Sequence, residues 1–357
     1  MTESAKRIKG RAVVDNPANR FSDTHHEAFD DGWGAQGDDP DAPATELIPD
    51  ASRSVLVYNQ SPDVPFDRSV NPYRGCEHGC VYCYARPTHA YLDCSAGLDF
   101  ETRIFYKAGA AELLAQELGK PGYQCQPIAP GVNTDAYQPA ERKLKITRDI
   151  LEVLLAHRHP VGIVTKSALV ERDLDLLGDM AKRNLVHVMV SVTSLDKRLA
   201  RSMEPRAAAP RRRLESIRRL SAAGIPVGVL VAPVVPVLND GEIESILTQV
   251  RRAGALSAGY VMLRLPHEVK DLFRSWLQRH VPLKADHVMK RIRDIRGGSE
   301  NDSQFGRRMR GTGVYAELIQ KRFEIALARL SFQGMPAFDS SCFRVPRTSA
   351  PQLELFE

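Results

Sequence analysis

Three cysteines fall within eight residues, in the run Cys76-Glu77-His78-Gly79-Cys80-Val81-Tyr82-Cys83. Three thiolates on one short loop can converge on a single inorganic centre, and Gly75 and Gly79 let the backbone fold tightly around it. A structural zinc ion is one option, with His78 or a distant cysteine as fourth ligand. Structural zinc sites, however, usually come as two separated CxxC or CxxH halves, unlike this single run. The other option is a cubane of four irons. Three thiolates then leave one iron without a protein ligand, and an open coordination position is what a reactive metal centre needs.

A loop of this kind must be positioned by regular elements. The chain has 357 residues, 43% hydrophobic and 26% charged, enough for one large core or two modest ones. From about residue 55 to 280 short β-branched runs alternate with longer amphipathic stretches, the pattern of βα units around a parallel sheet. The first strand is expected near Ser69 to Tyr73 with a helix near Ala108 to Leu118, and the second near Pro127 to Val132 with a helix near Ala140 to His157. Four more strands start near 161, 186, 226 and 260, followed by helices near 170 to 183, 206 to 223, 240 to 253 and 267 to 280. Six units result, as an open wound sheet or a barrel; in both, chemistry collects at the carboxyl ends of the strands.

The flanks differ. Residues 1–54 lack periodic apolar spacing and include a run rich in Asp, Gly, Pro and Ala, which reads as a mostly mobile arm. Residues 281–338 read as a basic helical extension, with a helix from Val314 to Leu330, and 339–357 as an irregular tail. The longest apolar run, Ile225 to Leu238, is 14 residues and broken by prolines, too short for a membrane span of roughly 20. The basic stretch Met1 to Arg11 is not followed by the apolar run of a secretory signal, so a cytoplasmic chain with reduced thiols is the expectation, and six cysteines in a chain this long do not suggest a disulfide framework. A net charge of +5 decides nothing about partners by itself.

The CxxxCxxC spacing, with Tyr82 before the third cysteine, resembles the signature of the radical S-adenosylmethionine (radical SAM) superfamily, and six βα units are what its partial (β/α)6 barrel uses. The resemblance implies a 4Fe-4S cluster on Cys76, Cys80 and Cys83, with S-adenosyl-L-methionine as cofactor. It also implies one-electron cleavage of the sulfonium to a 5′-deoxyadenosyl radical, fed by a reductant such as flavodoxin or ferredoxin. The loop from Arg74 to Tyr84 is similar to that of the spore photoproduct lyase and DNA-photolyase-like group. That similarity assigns Tyr82 to the adenine; flanking the cluster, the two tyrosines could relay a hydrogen atom, with Tyr84 the catalytic candidate, or simply pack as amphipathic walls. Thr134 and Asp135 match a hydroxyl and a carboxylate that meet the cofactor, Lys166 matches a cofactor-binding lysine, and Ser191, with Thr193 nearby, is a candidate for the ribose or carboxylate.

The chain departs from the group in two places. The lyase's hydrogen-donating cysteine is replaced by Val132, and Cys125, seven residues earlier, reads as a buried small hydrophobe. Ala129-Pro130-Gly131 stands where a Gly-Gly-Glu is usual, which leaves the amino-group contact to Asp135 or, less suitably, to Glu141. For partners, eight arginines between Arg198 and Arg219 and a second basic segment from Lys284 to Arg310 could track phosphates, or could be solvated faces. The peptide Gln352 to Phe356 is similar to the motif by which DNA-processing enzymes dock on the sliding clamp, the alternative being a tail that folds back on its own domain. The leading expectation is a lyase- or transferase-like enzyme acting on nucleic acid, as in DNA repair. The alternatives are the same chemistry on a small molecule or protein, or a non-catalytic, metal-stabilised nucleic-acid-binding module.

Overall fold

The computed structural model describes residues 8–21 and 44–346. The strands, in chain order, are Glu46–Pro49 (β1), Leu56–Tyr58 (β2), Arg68–Val70 (β3), Tyr73–Arg74 (β4), Arg103–Tyr106 (β5), Ile128–Pro130 (β6), Val161–Thr165 (β7), Val186–Ser191 (β8), Val227–Val234 (β9) and Ser257–Met262 (β10). One sheet runs in the order β10-β9-β8-β7-β6-β3-β2. All its neighbouring pairs from β3 to β10 are parallel, and β2 alone is antiparallel, against β3. These are the six parallel strands of the expected partial barrel.

The local reasons are plain. Val186, Val188 and Val190 of β8 and Val227, Val229 and Val231 of β9 are all buried, as β-branched residues of a parallel sheet covered by helices should be. The helix Ile146–Ala156 lays Ile146, Ile150, Leu151 and Leu154 against it. The stretch expected as one helix from 140 to 157 is split, because Lys145 takes φ of 55° between Glu141–Leu144 and Ile146–Ala156. A short helix that the pattern did not announce, Lys197–Met203, starts where Asp196 accepts hydrogen bonds from the backbone N–H groups of Arg198 and Leu199. It ends at Glu204.

Parts of the expected arm are held on the domain. Ala12 and Val13 are buried in the same apolar cluster as Cys80, Val81 and Tyr82. Arg11 donates to the Glu101 carbonyl at 2.8 Å, and Arg20 pairs with Glu268 at 2.9 Å. Strand β1 joins β5 and β4 in a small second sheet. The rest of the arm lies outside the described residues, as does Gln352 to Phe356.

The basic extension is built into the domain too. It contributes the helices Pro282–Asp294 and Val314–Arg329. In the loop between them, the Met309 carbonyl accepts from Met262 N at 2.9 Å, and Gly306 N donates to Asp63 at 2.7 Å. Asp63 precedes β3, so the loop ties the two edges of the large sheet together. The final described residues are irregular but docked, with Phe338 stacked on His187 at 3.9 Å and Phe343 against Tyr123 and His159 at 5.5 Å each. Among the described residues no helix is long and apolar enough to cross a membrane.

Candidate active site

The cysteine loop leaves the small sheet and crosses the carboxyl end of the large one. Gly75 and Gly79 have φ of 80° and 65°. A Cβ on Gly79 would lie 2.6 Å from the Glu101 carboxylate, so no other residue fits without displacing the wall behind the loop. That wall is rigid: Arg86, fully buried, donates to the carbonyls of Cys80 at 2.9 Å, Ala96 at 3.1 Å and Gly97 at 2.9 Å and pairs with Glu101 at 2.5 Å. Gln138 grips the loop from the other side, accepting from Glu77 N at 2.9 Å and donating to the Gly75 carbonyl at 3.1 Å.

All three thiols are free, with Cys76 and Cys80 buried and Cys83 half-buried. Burial pushes each of them up, and for Cys76 the charges of Asp135, Cys80 and Cys83 add to it. Desolvated thiolates that repel one another favour binding a cationic centre that neutralises them. Among the described residues no three His, Cys, Asp or Glu side chains are gathered closely enough to cage a single ion. An all-sulfur donor set on one loop, buried and electrostatically coupled, fits an iron-sulfur cluster.

Across the interior from these thiols stand side chains from the ends of the strands. Lys166, at the end of β7, donates through Nζ to Ser191 Oγ at 2.9 Å and lies 5.9 Å from the centroid of the Tyr82 ring. Its pKa is lowered by burial, against which the charges of Cys80, Asp135 and Cys83 act. Tyr82 donates its hydroxyl to Glu204, which also accepts from Thr193 at 2.5 Å and pairs with Arg213. Glu204 and Arg213 are both 2% exposed. Burial raises Glu204 and the Arg213 charge opposes it.

Asp135, expected to meet the cofactor, is held by its own chain. Burial resists its ionisation, but His78 and hydrogen bonds from the backbone N of Lys166 and the Thr165 hydroxyl hold it down to about 2. Its oxygens accept from Thr165 Oγ1 at 2.8 Å, Lys166 N at 2.7 Å and Tyr137 N at 2.9 Å, with His78 Nδ1 at 3.4 Å. The carboxylate is thereby occupied within the chain, bracing the cysteine loop against β7. Thr134 likewise donates to the Tyr73 carbonyl at 2.9 Å. Glu141 is fully buried and accepts from Tyr73, Thr147 N and Arg172, so it faces the helix layer and not the interior.

Cys76, Cys80, Cys83, Tyr82, Asp135, Lys166 and Ser191 are therefore brought together. Tyr84 is set apart, 42% exposed at the mouth, with its hydroxyl donating to the Val132 carbonyl. Cys125 is half-buried, not buried, and precedes β6 at the opposite end of the sheet. Gln138, Glu204 and Arg213 had no local signal as site residues. Glu204 and Arg213 read only as part of a charged run, and their meeting with Tyr82, 122 positions away in the case of Glu204, is a product of the fold.

Most of the arginine run is paired within the chain. Arg213 is buried on Glu204, Arg212 and Arg219 share Glu171, Arg218 pairs with Glu215, and Arg206 with Glu77 at 3.0 Å. Of the eight arginines in the run, Arg198, Arg201 and Arg211 are exposed with no side-chain partner among the described residues. The helix Pro210–Ala222 uses its arginines mainly to lock itself onto neighbouring acids.

Fold and site together define a class: a six-stranded partial barrel with three thiols on the loop after its first strand. The model of the radical SAM superfamily matches residues 70–250, and the chain belongs to that superfamily, whose enzymes use a 4Fe-4S cluster and S-adenosylmethionine. An uncharacterized protein of Mycobacterium tuberculosis is 40% identical over 221 residues, covering 61% of this chain and 65% of its own length. An uncharacterized protein of Methanocaldococcus jannaschii is 28% identical over 173 residues, 48% of this chain and 62% of that one. The chain thus spans just under two thirds of these relatives. Among solved structures, spore photoproduct lyase complexed with dinucleoside spore photoproduct superposes with a TM-score of 0.56 at 14% identity, over 80% of each chain.

Proposed function

We propose that Cys76, Cys80 and Cys83 hold the 4Fe-4S cluster, that Tyr82, Lys166 and Ser191 line the S-adenosylmethionine site, and that the enzyme acts on nucleic acid in a DNA repair-like reaction. The observation that carries this reading is the grouping of three buried or half-buried thiols with a half-buried Lys166 at the carboxyl ends of parallel strands. When bound, the cluster and its cofactor supply, after one-electron reduction, a carbon-centred radical able to take a hydrogen atom from the substrate.

The chain's own residues have definite tasks. Lys166 offers an ammonium group to the cofactor's carboxylate, steadied by Ser191. Tyr82, fixed through its hydroxyl by Glu204, presents its ring as one wall for the adenine. Asp135 and Thr134 serve the cofactor site indirectly, by fixing the backbone at Lys166 and Tyr73. Tyr84 is the candidate hydrogen relay, anchored to the carbonyl of Val132. A nucleic-acid substrate is supported by the fold shared with spore photoproduct lyase, an enzyme solved with a dinucleoside lesion. The Gln352 to Phe356 peptide supports it through its sequence alone: Leu355→Ala with Phe356→Ala should abolish capture of a sliding clamp, and unchanged capture removes that line.

A small-molecule or protein substrate is the second reading, favoured by the internal pairing of the arginine run. The deciding experiment is anaerobic reconstitution followed by reduction with dithionite or reduced flavodoxin, using deuterium-labelled S-adenosylmethionine against DNA, RNA and metabolite pools. Formation of 5′-deoxyadenosine with label exchanged into a DNA or RNA product is the expected result. A protein that binds no iron overturns the cluster assignment, and label found only in the metabolite pool overturns the nucleic-acid reading.

A further inference from the structure

The basic residues that sequence inspection picks out are mostly self-neutralised, but one arginine at the mouth of the barrel is not. Arg264 lies two residues beyond the end of β10, on the same rim as the cysteine loop. Its guanidinium carbon is 5.3 Å from the centroid of the Tyr84 ring, and Tyr84 reaches across to Val132, just past the end of β6. Nε of Arg264 is buried with no hydrogen-bond partner. Among the described residues its one side-chain contact of that kind is long, from Nη1 to the thioether of Met309 at 3.8 Å. Among the described residues no carboxylate forms an ion pair with it.

The surroundings make this unusual. Arg308, next to Met309, adds a second positive charge that acts on Arg264. The one nearby acid, Asp63, is already engaged by Arg308 and by Gly306 N. Arg308 stacks at 4.5 Å on Phe305, and the rings of Phe305 and Tyr84 are 53% and 42% exposed. Two guanidinium groups, each on an aromatic face, thus stand at the entrance with one carboxylate between them. A partly desolvated pair of like charges is unfavourable unless an anion completes it. The planar fork of arginine matches a phosphate oxygen pair, and exposed rings beside it suit stacking by bases.

We propose that Arg264, backed by Arg308, receives a phosphate group of a nucleotide substrate at the barrel mouth, with Tyr84 and Phe305 stacking against the adjoining bases of a single strand. This rests on the nucleic-acid reading above and says where the strand is held: at the rim beside Tyr84, not along the helix Pro210–Ala222. The phosphate could belong to a polynucleotide or to a free nucleotide, and both sources are put to the test.

Fluorescence anisotropy of a short fluorescein-labelled single-stranded oligodeoxynucleotide with the reconstituted full chain measures it, thermal midpoints being recorded for every variant. Arg264→Ala should weaken binding about 10-fold or more and reduce the slope of log affinity against log salt by about 0.7. Arg264→Lys should keep the salt slope while losing part of the affinity. Phe305→Ala, at an exposed position, should weaken binding about 5-fold or more. The triple variant Arg198→Ala, Arg201→Ala, Arg211→Ala should bind within about twofold of the parent. Equal binding by parent and Arg264→Ala overturns the proposal and leaves the nucleic-acid reading standing. If the parent ignores the oligonucleotide but binds a labelled deoxynucleoside monophosphate through Arg264, the phosphate site stands and the nucleic-acid reading falls. Binding of neither probe overturns both.

Discussion

Removing the carboxylate of Glu204 should loosen Tyr82 and destabilise the whole domain. One oxygen of Glu204 accepts from the Tyr82 and Thr193 hydroxyls and the other is paired with Arg213. The side chains of Glu204 and Arg213 are 0% and 3% exposed. Glu204→Ala therefore leaves a buried guanidinium without a counter-charge and the Tyr82 hydroxyl short of its acceptor, while Thr193 keeps the Ala232 carbonyl at 3.0 Å. Breaking a buried pair from one side costs ~3–5 kcal/mol. With an unfolding entropy of ~2.1 cal/mol/K per residue over 357 residues, the thermal midpoint should fall by about 4–7 °C. Arg213→Met should cost a similar amount. The double variant Glu204→Leu, Arg213→Met buries no lone charge and should melt above either single variant, so the two changes should be strongly non-additive. Tyr82→Phe, which removes one hydrogen bond and leaves the ion pair, should cost only about 1 kcal/mol. Differential scanning calorimetry of the four variants provides the assay. A Glu204→Ala midpoint equal to the parent's, or a double variant that melts at the sum of the single effects, would refute the reasoning.

Three further expectations concern the loop and its supports. Cys76→Ala, Cys80→Ala and Cys83→Ala should each lose most of the bound iron and all cleavage of S-adenosylmethionine, because two thiolates do not hold the cluster; iron analysis and 5′-deoxyadenosine assay of each variant decide it, and retained cleavage in any one contradicts the ligand assignment. Gly79→Ala places a methyl 2.6 Å from the Glu101 carboxylate at φ of 65°, and should cost about 1–3 kcal/mol and lower cluster retention; an unchanged midpoint and iron content would show that the wall behind the loop yields. His89 and His159 are buried, and burial holds both down to about 4. Because their folded pKa is depressed, the unfolded chain takes up protons first, so their contribution to stability is complete above about pH 6.5 and is lost as pH falls toward 4, by at most about 3 kcal/mol each. His159→Gln should flatten the midpoint between pH 7 and 5, and a parent midpoint that does not fall over that interval would sink the argument.

The sequence by itself determined the elements that repeat and the chemistry that is local. Six β-branched runs alternating with amphipathic helices are legible because a parallel sheet needs strands apolar on both faces and helices with one apolar stripe. The cysteine loop is legible because its three thiols are close along the chain. Lys166 and Ser191 could be placed at the rim from strand ends alone, and the structure joins them at 2.9 Å. What the sequence left open was the pairing of charges between distant segments. Arg213 and Glu204 read as neighbours in a basic run, yet they form the buried support of Tyr82. Asp135 read as a group facing the cofactor, yet the fold surrounds it with four donors from its own chain. Arg264 stood in no basic run, and among the described residues no carboxylate pairs with it at the barrel mouth. Tertiary structure decided these contacts because a charge acts through space over a few ångströms, and which groups share that space depends on how the strands and their loops are brought together, not on their order in the chain.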